Sequence, residues 1–123
     1  MKPQSAKAKG RKLQQWTRDS IIKWFPTLTD QDVRSTSMGA GGVDVTLSAE
    51  AFRQFPYKIE CKNRKTMAIY NDYEQAEAHA SIGRALLIIK ANGKRPLAVM
   101  DAEDFFMLAW QNYEMMEKED NEC

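Results

Sequence analysis

The apolar positions change period along the chain, and each change marks an element. Over residues 9–25, Leu13, Trp16, Ile21 and Trp24 recur at three-to-four-residue steps with Ile22 and Phe25 beside them. That spacing predicts an amphipathic helix, and Pro26 ends it. Residues 33–37 alternate weakly and read as an edge strand. After the glycine-rich stretch Ser37-Met38-Gly39-Ala40-Gly41-Gly42, Val43, Val45 and Leu47 alternate with Asp44 and Thr46, which predicts a strand over 43–48. Residues 49–55 form a short connection. Pro56 precedes a second strand over 57–62, with Ile59 and Cys61 on one face and Lys58, Glu60 and Lys62 on the other. Residues 70–83 read as a helix, with Asn71 and Glu74 resembling a capping box and Gly83 closing it. Residues 84–90 are a strongly apolar interior strand. Asn92-Gly93 turns the chain into a strand over 96–100. Asp101 caps a last helix over 102–118, expected to bury Phe105, Leu108, Ala109 and Tyr113 or Met116.

The order is helix, three strands, helix, two strands, helix. That predicts a small α/β fold, a mixed five-stranded sheet flanked by helices, with the middle helix crossing over to a parallel strand. At 123 residues one domain is expected, spanning 9–118. Residues 1–8 lack apolar periodicity and read as a flexible basic arm, and 119–123 as a frayed acidic tail.

Composition narrows the function classes. The longest apolar run, 85–89, is too short to span a bilayer, and no apolar stretch follows the basic N-terminus, so neither a membrane anchor nor a signal peptide is expected. Cys61 and Cys123 have no metal-ligand or disulfide spacing, which suits a reducing, intracellular (cytoplasmic) setting. The glycine-rich turn lacks the G-x-x-x-x-G-K-[ST] pattern of a phosphate loop and leads into a strand. The net charge of +1 conceals two opposed ends. Residues 1–23 carry seven basic residues against Asp19, and residues 101–123 carry eight acidic residues against Lys118. A basic arm and helix on a near-neutral chain suggest a local polyanion contact through Lys9, Arg11, Lys12 and Arg18, joined by Arg64 and Lys65 beside the second strand.

The chemistry concentrates on the paired strands. If their apolar faces share a core, Asp44, Glu60 and Lys62 emerge together on the opposite side. Two carboxylates and an amine suit phosphodiester hydrolysis with a bound cation. Mg²⁺ takes few protein carboxylates and keeps its own waters. Asp44 and Glu60 would be its ligands, the backbone carbonyl of Cys61 another, and Lys62 would orient the attacking water or stabilise negative charge; Mn²⁺ would substitute.

Asp44 followed by Glu60-x-Lys62, after a Ser-x-Gly-x-Gly turn and an N-terminal helix, resembles the PD-(D/E)xK nuclease superfamily. Within it the chain looks like the small Holliday-junction resolvases and related phage endonucleases. The resemblance implies a restriction-endonuclease-like fold, a metal at Asp44 and Glu60, catalytic Lys62, branched DNA as the partner, and a homodimer. It also implies supporting roles for Ser37 and Gln75. Val43 stands where the family name has proline. Gln14 and Gln15 stand where many resolvases carry a metal-reaching glutamate. His79, four residues after Gln75, shares its helix face. A nuclease without junction preference (flap, single-strand or duplex DNA) and a catalytically weak nucleic-acid-binding module of the same fold remain as alternatives.

Overall fold

The computed structural model describes residues 5–36, 43–80 and 83–121. Helix α1 spans Ala6–Trp24. Ser5 opens it, its hydroxyl accepting from the Ala8 N–H at 3.1 Å and satisfying one of the unpaired N–H groups of a helix start. Residues 6–8 therefore belong to the helix rather than to the expected arm, of which residues 1–4 lie outside the described residues. The buried face also differs from expectation. Leu13, Thr17 and Ile21, four apart, share it with Gly10 and Gln14. That rotates the stripe away from Trp16, which is 48% exposed, while Trp24 falls at the helix end and is 75% exposed.

The strands are β1 (Val33–Ser35), β2 (Val45–Leu47), β3 (Tyr57–Asn63), β4 (Arg84–Lys90) and β5 (Leu97–Val99). They form one mixed sheet in the order β1-β2-β3-β4-β5. Only β3 and β4 run parallel, Glu60 opposite Leu87 and Lys62 opposite Ile89; the other neighbours are antiparallel. The expected connection at 49–55 is a short helix, α2 (Ala49–Gln54), capped by Ser48. The Ser48 hydroxyl in turn donates to Asp32 at 2.8 Å and ties the two sides of the β1–β2 hairpin together.

Each sheet face has its own core. On one, α1 packs Leu13 and Ile21 against Val33, Val45, Tyr57, Ile59, Cys61, Leu86 and Ile88. On the other, helix α3 (Ile69–His79) covers Ala85, Leu87 and Ile89 with Ala76 and, just past its end, Ala80. The alternation expected on β3 is therefore realised, with Glu60 and Lys62 on the α3 side. The capping box expected at Asn71 and Glu74 is not used: α3 begins after Ala68 with no side-chain cap, and Asp72 in its first turn is held by Arg64 at 3.0 Å.

Helix α4 spans Ala102–Asn121, longer than expected and taking in most of the supposed tail. Asp101 caps it as expected, accepting from the Asp104 N–H at 3.1 Å. Its expected buried side is not buried. No α4 residue is buried, and Phe105, Leu108, Tyr113 and Met116 are all exposed. The pattern identified an amphipathic helix correctly, but the other described residues do not cover it. No helix among the described residues is long and apolar enough to cross a membrane.

Among the described residues two glycines have positive φ, Gly83 at +97° before β4 and Gly93 at +71° in the β4–β5 turn. A Cβ at Gly83 would lie 3.0 Å from the Phe52 ring, whereas one at Gly93 meets open space. Gly93→Ala should lose about 1 kcal/mol from backbone strain alone. Gly83→Ala should lose more, about 2 kcal/mol, as the ring must also shift. Denaturant unfolding of the two variants side by side checks the order.

Candidate active site

Four side chains meet where β2 and β3 diverge, on the α3 side of the sheet: Asp44, Glu60, Lys62 and His79. Asp44 occupies the bend just before β2. Its N–H donates to the Ile59 carbonyl at 2.9 Å, and its carbonyl accepts from the Thr36 N–H and hydroxyl, both at 2.9 Å. With the backbone pinned on both sides, the carboxylate is aimed at β3 and accepts from the Cys61 N–H at 2.8 Å. In an extended strand the N–H and C=O of one residue point the same way, so the Cys61 carbonyl also faces Asp44.

Glu60 is only 5% exposed. Its Oε2 lies 3.0 Å from Nδ1 of His79, and its Oε1 lies 3.9 Å from Nζ of Lys62. Burial pushes the Glu60 carboxyl above its ordinary value; the His79 hydrogen bond opposes this and the Asp44 charge adds to it. Asp44 is also pushed up by burial, against the pull of the Cys61 N–H and the charges of Lys62 and His79. A buried Glu60 whose proton affinity the Asp44 charge raises further marks a place where added positive charge is favoured. Cys61 offers no nucleophile there. Its thiol is buried toward α1, 3.7 Å from the Thr17 hydroxyl, and pushed up to about 12.

The oxygens that converge here are those of two carboxylates and one strand backbone. Among the described residues no group of three or more His, Cys, Asp or Glu is arranged to hold a metal. A magnesium-type ion needs only one or two carboxylates besides waters and other oxygens, so Asp44, Glu60 and the Cys61 carbonyl are the groups that could hold one.

The supporting residues divide. Gln14 is 1% exposed and its Oε1 accepts from the Ser35 hydroxyl at 2.9 Å, on the α1 side of the sheet. Gln15 and Gln75 are exposed. Ser37 and the glycine-rich turn lie outside the described residues. His79, weighed earlier as a helix-face residue, is the one that reaches Glu60. The four-residue spacing from Gln75 gave the right helix face, but only the packing of α3 on β3 shows which of the pair makes contact.

The basic residues also separate. Lys62, Arg64 and Lys65 lie at the C-terminal end of β3, next to Lys90, which pairs opposite Asn63. Lys94 and Arg95 join Lys90 around an apolar hollow of about 230 Å³ floored by Met67, Ile89 and Leu97. In the sequence the same cluster is a lysine–arginine run about the Asn92-Gly93 turn. Lys9 reaches the same end, its Nζ donating to Asn92 at 2.9 Å, and Arg11 and Lys12 follow it exposed on α1. Arg18 lies further along α1 and pairs with Asp19 at 3.0 Å. Arg64 is committed to the buried Asp72 carboxylate, which weakens its expected role as a phosphate contact.

No family model, curated protein or solved structure matches the chain.

Raised carboxyl pKa values imply a stability cost that can be measured. Folding favours the protonated forms of Asp44 and Glu60. The contribution of these groups is best below the ordinary carboxylate range and declines as pH rises through their raised folded-state values. Asp44→Asn and Glu60→Gln keep an acceptor for the Cys61 N–H and for His79 without the charge. Each should therefore melt a few degrees higher than the parent at pH 7 without divalent metal, with the gain vanishing near pH 3. Thermal melts across that range test it; equal or lower melting of both variants at pH 7 would count against a desolvated pair.

Proposed function

We propose that the protein is a metal-dependent DNA endonuclease of the PD-(D/E)xK kind, acting on branched DNA such as a Holliday junction. The observation that carries the reading is the meeting of Asp44, buried Glu60 and Lys62 on one side of β3, with the Asp44 charge raising the proton affinity of Glu60. A half-exposed sheet face would leave such charges in water. Here α3 closes over Glu60, and uncompensated charge in that position is expensive.

Asp44, Glu60 and the Cys61 carbonyl are the groups that would hold the Mg²⁺, which when bound supplies Lewis-acid activation of water and neutralisation of phosphate charge. Lys62 sits beside Glu60, where its ammonium can orient a water against the scissile phosphate and stabilise the negative charge that develops. His79 fixes Glu60 through Oε2, leaving Oε1 turned toward Lys62. The rim of Lys62, Lys65, Lys94 and Arg95 supplies the backbone grip, which positions a nucleic acid without reading its sequence. Cutting both strands of a junction needs two such sites, hence two copies. A reducing, DNA-bearing cytoplasm suits the free thiol of Cys61.

One observation favours the weaker alternative of a binding module: Gln14, at the helix turn where a third carboxylate would stand, is uncharged and bonded to Ser35.

The test compares four-way junction, flap, single strand and linear duplex with Mg²⁺ and with Mn²⁺. Junction cleavage is expected, with Lys62→Ala and Glu60→Gln losing on the order of 10²- to 10⁴-fold in rate while still binding. Manganese should raise the melting temperature of the parent but not of Asp44→Asn. Equal cleavage of all substrates would leave a nuclease without junction preference, and binding with no cleavage under either metal would leave the binding module. Replacing Lys94 and Arg95 together with alanine should weaken binding alike on junction and duplex and flatten its salt dependence by about two in log–log slope.

A further inference from the structure

Helix α4 is amphipathic, and its apolar stripe is turned away from its own body. At 100° per residue, Phe105, Phe106, Trp110, Tyr113 and Met116 fall within one sector of the helix. Asp104 and Met107, which meet Arg84 and anchor α4 to the start of β4, fall on the opposite sector. Every member of the stripe is more than half exposed. A run of large apolar side chains this long marks an interaction surface. Packing of such a face, rather than propensity, is what ordinarily holds a helix of this kind.

Charge selects the occupant. Beyond the stripe α4 carries Glu114, Glu117, Glu119 and Asp120 against Lys118 alone. Two α4 helices laid antiparallel would set the acidic end of each beside Glu103 and Asp104 of the other. The complementary surface is on α1, where Lys9, Lys12 and Lys23 fall within one sector with Trp16, against Asp19 at its edge. Beside α1, the β4–β5 end of the sheet is left open as a groove of about 420 Å³ lined by Lys12, Leu13, Trp16, Asn63, Lys90 and Pro96. Its floor is apolar, its rim is basic, and the exposed Trp16 borders it. The two helices also match in length, 19 and 20 residues.

We infer that α4 of one protomer docks along α1 and this groove of a second copy, and that the exchange is reciprocal. A two-fold arrangement fills both grooves and both stripes and leaves neither open for further addition. Five large side chains, each giving up on the order of 100 Å², supply much of the roughly 800 Å² per partner that a stable interface needs, and reciprocity engages the stripe twice. The groove lies on the α1 face of the sheet and Glu60 on the α3 face, so the dimer leaves the candidate active site open. Lys12 becomes an interface residue rather than a phosphate contact. The inference names the surface behind the two-copy reading above, but it rests on α4 itself, and its test reads molecular mass, not cleavage.

Sedimentation equilibrium of the full chain should give a dimer at micromolar concentration that weakens with added salt. Trp110→Glu should raise its dissociation constant at least tenfold with the melting of the monomer unchanged, since the side chain is exposed. Lys9→Glu with Lys12→Glu should weaken the dimer severalfold, Glu114→Lys with Glu117→Lys should do the same, and an equimolar mixture of the two variants should recover association through the interface that pairs reversed helix with reversed helix. A monomer at 100-fold higher concentration overturns the inference. So does a dimer that tightens on Glu114→Lys with Glu117→Lys and ignores Lys9→Glu with Lys12→Glu, which is the signature of α4 pairing with α4.

Discussion

The hydrogen bond from the Cys61 N–H to the Asp44 carboxylate, 2.8 Å long, is the contact on which the candidate site depends. The β2–β3 ladder is reduced to Val45 opposite Ile59. Past that point β3 continues beside β4 while the chain before β2 bends away, and a buried N–H on β3 needs a partner the ladder no longer supplies. Asp44 takes that place with its side chain. One bond thus closes the sheet and sets a carboxylate beside the next residue back along β3, Glu60. Losing the acceptor would leave an unpaired strand N–H as well as remove a charge, which is why the isosteric amide is the informative replacement.

Around that bond the sheet separates its two tasks by face. On β3, Tyr57, Ile59 and Cys61 enter the core beneath α1. Lys58, Glu60 and Lys62 alternate to the other side, where α3 brings His79 against Glu60. Parallel pairing of β3 with β4 requires a crossover, and the crossover is α3 itself. The element that makes the topology possible therefore also desolvates Glu60 and supplies its hydrogen-bond partner. Burial that would only destabilise an idle carboxylate is the condition for a strong response to positive charge.

What could be read in advance follows the range of the interaction. Strand alternation is local, and it placed Asp44, Glu60 and Lys62 on a shared side before any packing was known. The parallel β3–β4 step followed from the helix between them. The face of α1 was misjudged because tryptophans dominate a hydrophobicity pattern, whereas Gly10, Gln14 and Thr17 are buried through close approach and hydrogen bonds that no hydropathy scale credits. The Asn71–Glu74 capping box lost to a long-range pair, Arg64 with Asp72. His79 was ambiguous because a helix period gives a face but not the strand residue beneath it. In α4 the periodicity was right and the inferred burial wrong, since a stripe indicates that something covers it and not that the same chain does.

That distinction changes how the charge asymmetry is understood. A basic beginning and an acidic end look at first like one segment for a polyanion and one spare tail. With α4 a regular helix carrying exposed aromatics, and α1 bordering an open groove, the two ends have matching length, opposite charge and apolar surface to share. On the proposed reading, the cation left beside the carboxylates is Lys62, 3.9 Å from Glu60, with Lys65, Lys94 and Arg95 further along the same end of the sheet. Since phosphate attraction falls off within about 10 Å at moderate salt, Lys62 is the cation best placed to serve a phosphate held at the carboxylates. Assembly and chemistry would then draw on different faces of one sheet, and a change to either could leave the other intact.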